Sequence, residues 1–114
     1  MHDALLIVDD EAPLANLLKQ YLERLGYRAE VCTKAGEALE RLKANPNYSV
    51  LVADLAMPEM NGEDLIAQGQ ALNPKMRAIL TSGYAHRARQ AGVVFLQKPF
   101  APKALAEEIQ RMLK

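Results

Sequence analysis

Short runs of consecutive apolar residues alternate along this chain with longer stretches in which apolar positions recur every three or four residues. Runs of the first kind are strands buried on both faces, and stretches of the second kind bury one stripe of a helix. The alternation therefore predicts an α/β domain on a parallel sheet covered from both sides. Leu5-Leu6-Ile7-Val8 stops abruptly at Asp9-Asp10-Glu11, as a buried strand does where it emerges at its carboxyl end. Pro13 suits a first helical turn, Leu14, Leu17, Leu18, Tyr21, Leu22 and Leu25 follow at helical spacing, and Gly26 supplies a left-handed stop. Tyr27 to Cys32 reads as a second strand. Ala35, Ala38, Leu39 and Leu42 then give a helix with a narrow apolar face, broken by Asn45-Pro46-Asn47. Ser49 to Ala53 is a third strand, ending in Asp54.

Met57-Pro58-Glu59-Met60-Asn61-Gly62 reads as a loop, followed by a helix bearing Leu65, Ile66, Gly69 and Leu72 and closed by Asn73-Pro74. Met76 to Ser82 is the fourth strand and Val93 to Gln97 the fifth. Pro102 opens a last helix with Leu105, Ile109, Met112 and Leu113 inward. At 114 residues, half of them hydrophobic, the chain suits one domain over 1–114 with a single core. Fourteen basic side chains balance fourteen acidic ones, so no electrostatic footprint for nucleic acid or an anionic membrane is present and protein partners are expected. Cys32 stands alone and has no partner for an internal disulfide; no signal-peptide pattern and no apolar run of membrane-spanning length occurs. A cytoplasmic location is expected.

In open parallel α/β sheets the functional crevice lies beyond the carboxyl ends of the strands. Asp9 and Asp10 reach that edge from the first strand, Asp54 from the third, Thr81 or Ser82 from the fourth and Lys98 from the fifth. Three carboxylates brought together there repel by about 4 kcal/mol per close pair at an effective dielectric of 20, unless a cation joins them. Magnesium, which takes oxygen ligands and keeps several waters, suits such a shell. Zinc does not, because His2, His86 and Cys32 lie elsewhere in the sequence.

Val8-Asp9-Asp10-Glu11, Asp54 followed by Met57-Pro58-Glu59-Met60-Asn61-Gly62, Thr81-Ser82-Gly83-Tyr84-Ala85, and Lys98-Pro99-Phe100 together resemble the response-regulator receiver domains of two-component signal transduction, and the resemblance spans the whole chain. It implies a doubly wound, flavodoxin-like sheet of five parallel strands in the order 2-1-3-4-5. It implies that Asp54 takes a phosphoryl group from a phosphohistidine, that Asp10 binds Mg2+ directly and Asp9 through water, and that the Ala56 carbonyl completes the protein ligands. Lys98 would pair with the Asp54 carboxylate before transfer and with a phosphoryl oxygen after it. Ser82, preferred to Thr81 because the small residue expected next is Gly83, would donate to another phosphoryl oxygen. Gly83 would leave room for that movement, Phe95 occupies the place of the switch aromatic, and the Lys98-Pro99 bond is placed to be cis, as is usual in the family. The implied partner is a sensor histidine kinase or a histidine phosphotransfer protein. Thr-Ser-Gly-Tyr-Ala further resembles receivers joined to hybrid sensor kinases.

Each residue also has a plainer reading. Asp9 and Asp10 could cap the first helix, Asp54 could be an ordinary strand-end aspartate, Lys98 a surface lysine, Phe95 a core residue and His86 an exposed, inert one. A flavodoxin-like cofactor site would need a phosphate loop where Asp9-Asp10-Glu11 stands, and an aspartate-nucleophile phosphatase would need an acid where Ala56 stands. A phosphorylation-independent docking module is the remaining alternative; such pseudo-receivers usually lose an acid or the lysine, and here all are kept. Two departures from the family pattern stand out. Ala101 replaces a capping Ser or Thr, so the last helix should lack a side-chain cap. Only Gly83 to Gly92 joins strands four and five, so the fourth helix should be shortened, and dimerisation through its face is not expected.

Overall fold

The structure, a computed structural model, describes residues 3–85 and 90–114. Its elements run β1 (Ala4–Val8), α1 (Ala12–Arg24), β2 (Arg28–Cys32), α2 (Ala35–Ala44), β3 (Val50–Asp54), α3 (Gly62–Leu72), β4 (Arg77–Ser82), β5 (Val94–Gln97) and α4 (Pro102–Met112). The strands are all parallel and ordered β2-β1-β3-β4-β5. The expected fold class and strand order are both found. Strand boundaries differ from the expected ones by a residue: Tyr27, Ser49, Met76 and Val93 lie just outside their strands. The shortened helix expected within Gly83 to Gly92 centres on residues 86–89, which lie, with His86 among them and with His2, outside the described residues.

Successive strand side chains point to opposite faces, and here each face meets its own helices. Leu5, Ile7, Val50, Val52 and Ile79 pack with Leu18 and Leu22 of α1 and Leu105 and Ile109 of α4. Leu6, Val8, Leu51, Ala53 and Leu80 pack with Ala38 and Leu42 of α2 and Leu65 and Ile66 of α3. Fully burying each such leucine or isoleucine contributes about 1.5–3 kcal/mol, so the sheet is clamped from both sides. Helix stripes are narrower than their apolar sequence suggests: Leu17, Leu25 and Leu72 fit the periodicity yet are exposed, and Met112 and Leu113 are half-buried.

Gly26 ends α1 at φ +99°. Its N–H donates to the Glu23 carbonyl and that of Tyr27 to the Leu22 carbonyl, the paired bonds of a Schellman stop. The chain then turns directly into β2 and its pairing with β1. Because β1 lies between β2 and β3, the helices that follow β1 and β3 cover opposite faces, and a crevice opens between the carboxyl ends of these two strands.

Candidate functional site

Asp9 is the first residue beyond β1, and its N–H extends the ladder by donating to the Cys32 carbonyl at 3.1 Å. One carboxylate oxygen, Oδ1, accepts from the Glu11 N–H at 2.8 Å; the other, Oδ2, accepts from Lys98 Nζ at 2.8 Å. The capping reading does not hold for Asp9: the N-cap position of α1 is Glu11 with no side-chain cap bond, and the buried Asp9 binds the N–H of that residue while facing the crevice. Asp54 ends β3, and the loop behind it is folded tightly: the Leu55 N–H donates to the Thr81 carbonyl and the Gly62 N–H to the Leu55 carbonyl. A side chain on Gly62 would run into the Asp54 carbonyl and Leu80, so a glycine here lets α3 start directly against the strand that carries Asp54.

Asp9, Asp10 and Asp54 each offer a carboxylate oxygen, and the three lie within 4.8 Å of one another. Asp9 and Asp54 are buried and Asp10 is exposed. All-oxygen donors with one side open to solvent fit a hard divalent cation such as Mg2+. Burial, with the Asp9 charge added, pushes the Asp54 carboxyl above its usual range, against the opposing pull of Lys98 and the Ala56 N–H.

Lys98 follows β5, and its N–H donates to the Ser82 carbonyl at 2.7 Å, tying the two residues together through the backbone. The Lys98-Pro99 bond is cis, as expected. The ammonium lies 2.8 Å from Asp9, 3.1 Å from Glu11 and 3.4 Å from Asp54. Its nearest acceptor is therefore Asp9 rather than Asp54, and Glu11 is a partner that sequence reasoning did not assign. Burial would lower the lysine's pKa, but its hydrogen bonds to Asp9 and Glu11 outweigh that and raise it.

Thr81 and Ser82 are both buried. Thr81 is the ladder partner of Asp54, and Ser82 lies one step nearer the carboxyl edge, its hydroxyl accepting from the Tyr84 N–H at 3.1 Å. A Cβ on Gly83 would meet nothing within 4 Å. Phe95 is half-buried beside Leu80 on the α2/α3 face, and Pro99 is exposed next to Lys98.

The profile of the response regulator receiver domain matches residues 5–110. The chain belongs to that family. Chemotaxis protein CheY1 of Helicobacter pylori strain J99 is 38% identical, the match covering 96% of this chain and 95% of the relative. A CheY-like receiver domain protein from Methanospirillum hungatei JF-1 superposes with a TM-score of 0.92 at 32% identity, over 99% of this chain and 94% of that one. A response regulator from Burkholderia pseudomallei, solved with a phosphorylated aspartic acid, a calcium ion and citrate, gives a TM-score of 0.82 at 27% identity, over 96% of this chain and 71% of that one. Receivers work in two-component signalling with histidine kinases or phosphotransfer proteins, and they typically bind Mg2+. Among the described residues no helix is long and apolar enough to cross a membrane.

Proposed function

We propose that this receiver, a single unit over residues 1–114, accepts a phosphoryl group from a phosphohistidine onto Asp54 and changes conformation to signal in a phosphorelay. The observation that carries the reading is the buried Asp54 carboxylate, clustered with Asp9 and Asp10 and within ion-pair reach of Lys98. An Asp54 oxygen attacks phosphorus, the bond from phosphorus to the imidazole nitrogen breaks, and the imidazole leaves with the electron pair, giving an aspartyl phosphate. Asp10 directly, Asp9 through water, Asp54 and the Ala56 carbonyl would hold Mg2+, whose charge offsets that of the transferring group. Lys98 turns to one phosphoryl oxygen and the Ser82 hydroxyl to another, Gly83 leaves the loop free to follow, and Phe95 and Pro99 respond to the shift. The phosphorylated aspartate of the Burkholderia relative supports this assignment by likeness.

The partner is a sensor histidine kinase or a histidine phosphotransfer protein in the cytoplasm, with no direct contact to nucleic acid or membrane, and signalling does not pass through a dimer on the face of the shortened crossover between β4 and β5. A docking-only role is disfavoured because every acid and the lysine are kept. Incubation with phosphoramidate, a phosphohistidine surrogate, tests the reading. Phosphoprotein should form with Mg2+ and not after chelation, and equal labelling in the two would defeat it.

A further inference from the structure

An ammonium has three N–H donors and no acceptor, and Lys98 has three carboxylates around it: Asp9 at 2.8 Å, Glu11 at 3.1 Å and Asp54 at 3.4 Å. Once Asp54 carries a phosphoryl group, the donor that faced its carboxylate must follow a phosphoryl oxygen, and the ammonium can move with it only by loosening its contact to Asp9 or to Glu11. The candidates differ in burial. The Asp9 side chain is 5% exposed and that of Glu11 is 64% exposed. Parting a buried carboxylate from its cation strands a charge, whereas water takes over at an exposed one. An open cavity of about 430 Å³ bordered by Glu11, Gly83, Lys98 and Phe100 leaves room for the glutamate to swing away.

We infer that Glu11 is a positioning residue: it competes with the phosphoryl group for the Lys98 ammonium and holds the lysine in its resting place. The inference rests on the phosphoacceptor reading of Asp54 and adds to it a determinant of how readily the site is occupied. Glu11 precedes α1 without capping it through its side chain, and its backbone N–H, which binds Asp9, survives substitution. Glu11→Gln therefore removes the charge with little disturbance to the fold.

The test titrates wild type, E11Q, K98A and the double variant with beryllofluoride in the presence of Mg2+. E11Q should bind about two- to fivefold more tightly than wild type, the range of an exposed ion pair, and the gain should vanish in the K98A background. In the metal-free protein, the nitrogen resonance of the Lys98 ammonium should shift between wild type and E11Q. Unchanged or weaker binding by E11Q, an unshifted Lys98 signal, or a gain that persists without Lys98 would each overturn the inference while leaving the phosphoacceptor reading intact. Failure of the wild type to bind beryllofluoride would overturn both.

Discussion

Burial and the Asp9 charge both oppose ionisation of Asp54. Its folded pKa lies above the ordinary value of 3.8, so the charged form costs stability. The stability that the protonated carboxyl contributes is fully present below the ordinary value and is lost as pH rises through the raised one. Asp54→Asn should therefore raise the melting midpoint of the metal-free protein at neutral pH, with the gap to wild type closing as the pH falls below about 4; a lower midpoint would contradict this. Lys98→Ala should act the other way. It leaves Asp9 and Asp54 buried without their cation, at a cost of about 1–3 kcal/mol in urea unfolding without metal. Mg2+ should restore part of the loss, while the activated and resting spectra of the variant should no longer differ as they do in wild type. The candidate site residues Asp9, Asp54, Ser82 and Lys98 were legible because each stands at or just beyond the end of an apolar run. The resting partner of Lys98 was not, because Asp9, Glu11 and Asp54 all lie within one ammonium's reach and sequence separation does not rank them.

At the scale of elements, periodicity located α1 through α4, and Gly26 marked a stop that the paired bonds to Glu23 and Leu22 bear out. Two things were not legible. Strands buried on both faces are apolar throughout, so the sequence did not show which residues face which pair of helices. Leu17 and Leu25 fit the helical spacing of α1, but its buried stripe is filled by Ala15, Leu18 and Leu22. The missing cap on the last helix was legible and is found: Ala101 occupies the N-cap position of α4 with extended backbone and no side-chain bond. Ala101→Ser should stabilise the protein by about 0.5–1 kcal/mol in chemical denaturation without altering phosphorylation. No gain would mean that the start of α4 is already satisfied in another way.

At the scale of the molecule, the strand order β2-β1-β3-β4-β5 brings residues distant in sequence, Asp9, Asp54, Ser82 and Lys98, to the carboxyl edge of one sheet. The two packed clusters keep that edge in register, and the exposed side of Asp10 leaves it open to a metal and a donor. On the proposed reading, this edge forms an aspartyl phosphate at residue 54. The most direct measurement treats the protein with acetyl phosphate and Mg2+, reduces the product with borohydride and maps the peptides by mass spectrometry. An acyl phosphate on Asp54 should be read out as homoserine at that position, absent after chelation and absent in Asp54→Asn. Homoserine at another aspartate in the wild type, or undiminished phosphorylation of the Asn variant, would contradict the account.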